Sequence, residues 1–363
     1  MKPTYNSSEN MCELLALCFN LPVSPRISFK GFRVRGRRNP DGWGLAFYPD
    51  NSAVVFKEPL TATESRLAEF VEKYELIKSR IFIGHVRLAS RGELSYRNTH
   101  PFKRELFGKD YVFAHNGTLH GYRELGLGRF KPLGETDSEY IFCYLLSQIE
   151  ERKIVEWKKS DFDWLAGLLA EINNYGYLNC IFSDGEHLFC YYDKTGYNGL
   201  CLLHRKPPYG RIRVKLADRD WEVNLAFEKD SREQGYVVAT RPLTDEMWES
   251  FLPGELIVFK NGEIVYSNKR RPEEIEPKIP SGIELEILRV VKRAPHRVSL
   301  REIALKLNLP LEEVRKNVFS LLCKGYLRQD KRDRVKWHNP EATFFTNKSR
   351  RKEIDKLLKR EET

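Results

Sequence analysis

The spacing of apolar and polar residues over the first three quarters of the chain predicts short strands joined by tight turns. Three pairs of apolar runs are each separated by turn-forming residues: 45–48 with 53–57, 178–183 with 187–192, and 256–260 with 263–266. The last pair flanks Asn261-Gly262, a dipeptide typical of two-residue hairpin turns. We therefore expect three β-hairpins between residues 45 and 266.

Amphipathic helices alternate with these hairpins. Apolar residues recur at three- and four-residue intervals over residues 62–78, 138–152 and 161–174, which predicts one helix in each segment. Hairpins combined with separate helices favour antiparallel sheets covered by helices. The fold class predicted for this part of the chain is thus α+β, in layers.

The pattern changes after residues 269–280, a stretch of prolines and charged residues that predicts a linker. Helical spacing resumes at Ile283, and a capping-box sequence, Ser299 to Glu302, opens a second helix. A third helix follows Pro310 and stops at Gly325. Two strands are predicted at 326–329 and 334–337. Three short helices followed by a hairpin indicate a winged-helix domain over residues 281–340, with a basic charged tail at 341–363.

The charge distribution separates the two parts. The formal net charge of the 363 residues is +10, and residues 281–363 hold 21 of the 61 Lys and Arg but only 12 of the 51 Asp and Glu. A basic C-terminal module suggests a polyanionic partner such as DNA, although a lysine-rich solvated surface explains the same count. The candidate contacts lie in the third helix and the wing: Arg315, Lys316, Lys331, Arg332, Arg334 and Lys336. Glu312 and Glu313 argue against DNA, because two carboxylates in the first turn of the recognition helix would repel phosphates. Winged helices also serve as protein-docking or dimerisation modules, so a protein partner is the alternative to DNA.

Seven cysteines show neither paired spacing nor the spacing of zinc ligands, so most are expected to be small buried thiols in a reducing compartment. The longest uncharged stretches are too short for a membrane helix, and the start lacks a basic cluster typical of a secretory signal. We expect a cytoplasmic protein with no membrane partner and no metal.

Cys12 differs from the other six cysteines because Met11 precedes it. Removal of a methionine before a small residue would leave Cys12 as the N-terminal residue, and its α-amine would titrate near pH 8, as α-amines do. Such an amine can accept the thiol proton. Taken alone, a cysteine in an apolar run is far more often a core thiol.

Three further motifs follow Cys12 in order: His85-Val86-Arg87, His115-Asn116-Gly117 and Thr136-Asp137-Ser138-Glu139. With these motifs the sequence resembles the class II glutamine amidotransferases, which belong to the N-terminal-nucleophile hydrolase superfamily. It is most similar to the stand-alone branch, on account of Asp41-Gly42-Trp43-Gly44, the segment 98–102 and Thr240-Arg241-Pro242-Leu243. The resemblance covers residues 12–268 and implies a four-layer αββα sandwich of antiparallel sheets, with no cofactor.

The resemblance also implies a role for each motif residue. Cys12 would attack the γ-carboxamide of glutamine or of a γ-glutamyl compound and form a γ-glutamyl thioester. The Asn116 side chain and the Gly117 N–H would hold the oxyanion. Arg87 would bind the substrate α-carboxylate and Asp137 its α-ammonium, with Ser90 beside the substrate. If the family resemblance is set aside, Asn116-Gly117 predicts a hairpin turn. Arg87 would then be expected in a surface ion pair, and Asp137 at the N-cap of a helix. His85, His100 and His115 are expected to be structural hydrogen-bonding residues.

Residues 1–11 depart from the family pattern, because Cys12 needs a free amine. We expect either a misassigned start at Met1 or removal of the extension. The sequence names no ammonia acceptor, which leaves two alternatives: an ammonia-accepting partner protein, or hydrolysis alone. An alternative function is an amino-acid-sensing transcriptional regulator, in which a non-catalytic amidotransferase-like domain controls a DNA-binding winged helix.

Overall fold

The computed structural model describes residues 12–88, 92–209, 213–217, 221–225, 229–330, 333 and 335–359. The chain divides into two compact units. The larger unit comprises Met11–Thr244 and Phe251–Ile275, and the smaller one comprises Asp245–Ser250 and Glu276–Thr363. Among the described residues, none of the helices is both long enough and apolar enough to cross a membrane.

The larger unit contains two antiparallel sheets. The first sheet contains six strands of the larger unit, in the order β9, β12, β1, β4, β2, β3. These are β1 (Glu13–Val23), β2 (Gly42–Phe47), β3 (Val54–Glu58), β4 (Ser79–Arg87), β9 (Cys201–Arg205) and β12 (Gly235–Ala239). The central pair, β1 and β4, aligns Leu14 with His85 and Leu15 with Gly84.

The second sheet has the order β15, β14, β8, β7, β6, β5. Its strands are β5 (Phe102–Leu106), β6 (Lys109–Leu119), β7 (Gly176–Ser183), β8 (His187–Tyr191), β14 (Leu256–Lys260) and β15 (Glu263–Ser267). A separate two-stranded ribbon pairs β10 (Arg213–Lys215) with β11 (Glu222–Asn224).

Alternation along the strands explains why the two sheets stack. Leu14, Ala16 and Cys18 of β1 share one apolar cluster with Val112 and Ala114 of β6, so one face of each sheet meets the other. The residues between them point to the outer faces. Inner strands such as β2, β8 and β12 are therefore buried on both sides, which explains their nearly continuous apolar sequences, whereas the edge strands β3, β5 and β15 are partly exposed.

Helices cover both outer faces. The second sheet packs against α3 (Asp137–Glu151) and α4 (Lys159–Ile172), whose apolar residues cluster with those of β5 to β8. On the first sheet, α1 (Arg26–Arg33) places Phe29 against Trp43, with ring centroids 5.9 Å apart. The short α2 (Arg66–Lys73) follows. This arrangement is the layered α+β fold that the sequence predicted.

The three predicted hairpins are confirmed as β2–β3, β7–β8 and β14–β15. In the last, Asn261 and Gly262 both have positive φ, as the two-residue turn requires. The first predicted helix was too long: residues 62–78 contain a helix only at Arg66–Lys73. Ser65 explains its start, because the Ser65 side chain caps the helix by accepting a hydrogen bond from Ala68 N.

The smaller unit contains four helices within its described residues: α5 (Ile283–Arg293), α6 (Leu300–Leu307), α7 (Leu311–Cys323) and α8 (Arg351–Lys359). Its strands are β13 (Glu249–Ser250), β16 (Val298–Ser299), β17 (Leu327–Gln329) and β18 (Thr343–Thr346), with β18 pairing both β16 and β17. The predicted capping box is present, since Ser299 and Glu302 exchange hydrogen bonds. The core of the smaller unit includes Ile287, Val314, Val318 and Phe344.

The second predicted wing strand was misplaced. Residues 335–337 form no strand, and the partner of β17 is Thr343–Thr346 in the segment expected to be a charged tail. The pairing buries Phe344, whereas the sequence 334–337 is strongly basic. Ile354 and Leu358 of α8 are buried as well. Apolar burial therefore extends beyond residue 340. The winged-helix assignment itself stays a prediction.

Candidate active site

Cys12 lies immediately before β1 and is half-buried. Its thiol donates a hydrogen bond to Leu88 O at 3.3 Å, and Leu88 N donates to Cys12 Sγ at 3.2 Å. Leu88 directly follows β4, the strand that pairs with β1. The two central strands of the first sheet therefore hold the thiol at their common end.

The thiol of Cys12 is protonated at neutral pH. Burial raises its pKa to about 11, and the nearby Asp137 carboxylate adds to the rise, while the Leu88 N–H and the Arg87 cation lower the pKa in part. A nucleophilic attack by this sulfur thus requires a base that removes the proton as the new bond forms.

Asn116 connects this point to the second sheet. It lies near the end of β6, is 2% exposed, and donates a hydrogen bond from Nδ2 to the Cys12 carbonyl oxygen. The next residue is glycine for a steric reason: a Cβ on Gly117 would lie 2.0 Å from Tyr177 O. Asn116 and Gly117 therefore belong to a strand, and the hairpin turn that the bare dipeptide predicts is wrong.

Asp137 is the first residue of α3 and is 4% exposed. The N-cap of this helix is Thr136, whose hydroxyl accepts a hydrogen bond from Glu139 N, so the cap alternative for Asp137 is wrong. Asp137 instead accepts a hydrogen bond from Leu119 N through Oδ2, at 2.7 Å. Its carboxylate is near enough to influence the pKa values of both Cys12 and His115.

Arg87 ends β4 and is only 3% exposed, which contradicts the surface ion pair. Its Nη1 donates to Glu93 O at 3.4 Å. Burial lowers the pKa of its guanidinium, whereas Cys12 and Asp41 act in the opposite direction. A buried cation (Arg87) and a buried anion (Asp137) therefore both lie close enough to Cys12 to affect its thiol.

Ser90, the other predicted substrate contact, lies outside the described residues, as do Lys331, Arg332 and Arg334. The remaining predicted nucleic-acid contacts belong to the smaller unit. Lys316 of α7 is exposed, whereas Arg315 and Lys336 are half-buried. Of the basic candidates that the structure describes, Lys316 alone is exposed.

The three histidines differ from one another. His115 is a structural hydrogen-bonding residue, because its two ring nitrogens contact Ser138 Oγ at 2.9 Å and Tyr177 O at 3.0 Å. His85 and His100 make weaker contacts: within the described residues their ring nitrogens form no well-aligned hydrogen bond, and the rings pack against each other in a tilted arrangement with centroids 4.2 Å apart. Burial lowers both pKa values, that of His85 to about 3 even though the nearby His115 backbone acts to raise it. Both rings are therefore neutral.

In the part of the chain that the structure describes, one cluster of metal-ligand side chains occurs away from this site, at the β7–β8 turn. Ligand atoms of Asp184, Glu186 and His187 lie within 4.8 Å of one another. Lys109 contacts both carboxylates at 3.5 Å, and Lys260 lies 2.6 Å from Glu186. These ammonium groups already balance the negative charge, so the cluster gives no argument for a metal.

Sequence reasoning missed two sets of contacts around Cys12. Glu13 is buried between Arg35 and Arg241 and forms ion pairs with both. Asn198 donates from Nδ2 to Cys12 O at 3.2 Å. Arg241 lies in the Thr-Arg-Pro-Leu motif, but Asn198-Gly199 has the sequence of an ordinary turn. Only the folded chain brings it to Cys12, 186 residues earlier.

The sequence profile of the class-II glutamine amidotransferases matches residues 11–281, about three quarters of the chain. This chain belongs to the class II glutamine amidotransferases. The match contains every motif at the site, from Cys12 to Asp137. Membership supports an enzyme that acts on the amide of glutamine by hydrolysis or transfer.

Individual relatives agree with this class II assignment. An uncharacterised protein of Methanocaldococcus jannaschii is 51% identical over 96% of this chain and 97% of its own length. YafJ of Escherichia coli, whose name assigns it provisionally to the glutamine amidotransferases, is 38% identical over 70% of this chain and all of its own. Because the first relative spans both units, the smaller unit is not peculiar to this sequence.

A solved structure supports the same class II fold. The predicted glutamine amidotransferase of Pseudomonas aeruginosa superimposes with a TM-score of 0.50 at 30% sequence identity, covering 72% of this chain and 97% of its own. The fold predicted for the amidotransferase part, an α+β sandwich of the N-terminal-nucleophile hydrolase type, is thus confirmed.

Proposed function

We propose that this amidotransferase hydrolyses the γ-amide of glutamine or of another γ-glutamyl compound, with Cys12 as nucleophile. The sulfur would attack the amide carbon while the Cys12 α-amine takes the thiol proton. The negative charge that develops on the amide oxygen would be stabilised by Asn116 Nδ2 and Gly117 N–H.

The tetrahedral intermediate would then break its carbon–nitrogen bond. The amine returns the proton to the leaving nitrogen, ammonia departs, and a γ-glutamyl thioester remains on Cys12. Water attacks the thioester in the second half, which releases glutamate and restores the thiol. The high pKa of the thiol supports this use of a base, because the thiolate is scarce at neutral pH.

Arg87 and Asp137 would recognise the amino-acid end of the substrate. A guanidinium can donate two parallel hydrogen bonds to a carboxylate, and a carboxylate can accept from an ammonium group. Both side chains are almost fully buried, where such interactions are stronger than in water. The pair would thus select a free α-amino acid and orient its γ-carbonyl toward Cys12.

The mechanism requires that the mature chain begin at Cys12. A peptide bond to Met11 would convert the base into an amide, which does not accept a proton at neutral pH. We therefore propose that the segment before Cys12 is absent from the active enzyme. A partner protein would supply the acceptor when ammonia is transferred rather than released.

The convergence of Asn116 on Cys12, beside Arg87 and Asp137, is the observation that carries this proposal. The test is release of glutamate from glutamine and from γ-glutamyl amides by protein that begins at Cys12, with Cys12→Ala as the matched inactive variant. Folding of the variant is checked by its thermal midpoint. Binding of glutamine without turnover would instead favour the alternative of an amino-acid-sensing regulator.

A further inference from the structure

We propose that Asn198 is a positioning residue for the nucleophile: it holds the Cys12 carbonyl and thereby leaves Asn116 available for the oxyanion. This inference rests on the proposed cysteine mechanism. It assigns a role to a residue outside the motifs that carry the family resemblance.

Two side-chain amides converge on one oxygen. Cys12 O accepts from Asn116 Nδ2 and from Asn198 Nδ2, the latter at 3.2 Å. A carbonyl oxygen has two lone pairs and can accept both. Asn198 is 7% exposed, so water competes little for its amide.

The two donors have different tasks in the reaction. Asn116 must direct an N–H to the oxygen of the substrate amide when negative charge develops there. The Asn116 amide has two N–H groups, and turning one toward the substrate oxygen constrains how the other meets Cys12 O. Asn198 is the described residue that shares the hold on this oxygen. We assign Asn116 to the oxyanion and Asn198 to the nucleophile's own backbone.

The carbonyl matters because Cys12 would be the first residue of the mature chain. No preceding peptide fixes its amine, so the orientation of its Cα substituents depends on the torsion between Cα and the carbonyl. Fixing the carbonyl oxygen holds the plane of the Cys12–Glu13 peptide and the position of the Cα that carries both the amine and the thiol. The hydrogen bond from Leu88 N to Sγ then limits rotation about the Cα–carbonyl bond. Small errors in such placement are costly, since about 1 Å can cost on the order of 100-fold in rate.

The loop that carries Asn198 is built to hold it in place. Asp193 is fully buried and accepts hydrogen bonds from Thr195 N at 2.8 Å and Leu178 N at 2.8 Å, which ties the loop to β7. From β7, Asn179 Nδ2 donates to Tyr197 O, also at 2.8 Å. Asn179 is the direct cross-strand partner of Asn116. The two amides that meet at Cys12 are thus anchored to the same pair of strands.

A purely conformational role is the competing explanation. Asn198 has φ of 60°, a left-handed conformation that asparagine adopts more easily than most residues. Glycine adopts this conformation without strain but has no amide to donate. Asn198→Gly therefore separates the two roles. Asn198→Asp is the second variant, because it keeps the shape of the side chain and replaces the donor with an acceptor.

The experiment measures steady-state glutaminase kinetics for protein that begins at Cys12. We expect both variants to lower kcat by about 10- to 100-fold, with KM within about twofold of wild type, since Arg87 and Asp137 still bind the amino-acid end. Asn261→Gly is the control, because Asn261 also has a left-handed φ, of 50°, but lies in the β14–β15 turn. It should leave kcat unchanged.

Wild-type kcat in Asn198→Gly would overturn the inference and reduce Asn198 to a turn residue. A rise in KM without a fall in kcat would also overturn it, because the residue would then act on substrate binding. An active wild type with unaffected variants contradicts this inference alone. An inactive wild-type chain beginning at Cys12 contradicts the proposed function, and this inference with it.

Discussion

Asn116 Nδ2 donates a hydrogen bond to the carbonyl oxygen of Cys12, although the two residues are 104 positions apart and lie on different sheets. Cys12 precedes a central strand of the first sheet, and Asn116 lies near the end of β6 in the second. The stacking of the sheets through their shared apolar cluster therefore determines the geometry of the site. Catalytic placement here depends on the packing of the layers.

Removing the Asn116 donor should lower the rate of the chemical step. Asn116→Asp keeps the size of the side chain but cannot donate when ionised, and we expect kcat to fall by about 100- to 1,000-fold with a smaller change in KM. Steady-state glutaminase assays measure both constants. Val112→Ala, in the apolar cluster on the same strand β6, is the comparison for a general disturbance of the strand, and an equal loss of kcat there would count against the oxyanion role.

The pH dependence of activity should identify the base. If the Cys12 α-amine accepts the proton, kcat/KM rises with pH and levels off above about pH 8, near the usual pKa of an α-amine. Direct use of the thiolate would instead keep the rate rising toward pH 11, because burial raises the thiol pKa to about 11. Intact-mass analysis of the same protein should give a chain that begins at Cys12. Full activity in protein that retains Met11 would exclude the amine.

Asp137 should act on the substrate ammonium group. Asp137→Asn can still accept the hydrogen bond from Leu119 N but lacks the charge, and we expect KM for glutamine to rise by about 10- to 100-fold, the range for a charged hydrogen bond. N-acetylglutamine has no ammonium group and provides the comparison. If Asp137→Asn raises KM equally for glutamine and for N-acetylglutamine, the carboxylate does not contact the ammonium group.

Arg87 should act on the other end of the substrate. Arg87→Lys keeps the charge but cannot form two parallel hydrogen bonds, and we expect a rise of about tenfold or more in KM for glutamine. 4-Aminobutanamide, which is glutamine without its α-carboxylate, is the comparison substrate. An unchanged KM for glutamine would remove Arg87 from carboxylate recognition.

The strands and hairpins were predictable from sequence because they depend on local patterns. Alternating apolar residues and the Asn261-Gly262 turn were enough to place β14 and β15. Ser65 shows where local pattern fails: apolar spacing alone extended the helix past its cap. The prediction also missed the strand at Thr343–Thr346, for a related reason: only its pairing with β16 and β17 distinguishes this segment from a charged tail.

The residues of the candidate site also fall into two groups, those that the sequence could predict and those that it could not. Cys12, Arg87, Asn116 and Asp137 could be named because each lies in a motif of the family. Asn198 and Asp193 could not, because their importance comes from contacts between residues far apart in sequence. The difference between His115 and the tilted ring pair His85–His100 likewise depends on neighbours that lie far apart in sequence.

The buried histidines should make the fold sensitive to acid. The pKa of His85 is lowered to about 3, below the usual value near 6.5, so between these values the unfolded chain binds a proton that the native chain does not. Stability therefore falls as pH drops from about 6.5 toward 3, by up to about 1.4 kcal/mol per pH unit for each such histidine. Urea unfolding at pH 7, 6 and 5 measures this slope. His85→Leu should reduce this slope by the equivalent of about one bound proton, or about 1.4 kcal/mol per pH unit. An unchanged slope would contradict the assignment of a neutral His85 ring in the native protein.

DNA binding by the smaller unit can be tested through its salt dependence. Among the predicted contacts, Arg315, Lys316 and Lys336 lie in the described part of the chain. If these three cations contact phosphates, raising the salt from about 50 to 200 mM should weaken binding to a duplex by about 40-fold. Lys316→Glu is the most informative variant, because Lys316 is exposed, whereas Arg315 and Lys336 are half-buried.

The two glutamates in the first turn of α7 provide a second test. Glu312 and Glu313 precede Lys316 on this helix, and their carboxylates would repel the phosphates that Lys316 would contact. Glu312→Gln should therefore strengthen binding while Lys316→Glu weakens it. The absence of binding at low salt would eliminate DNA as a partner and leave protein docking as the use of this unit.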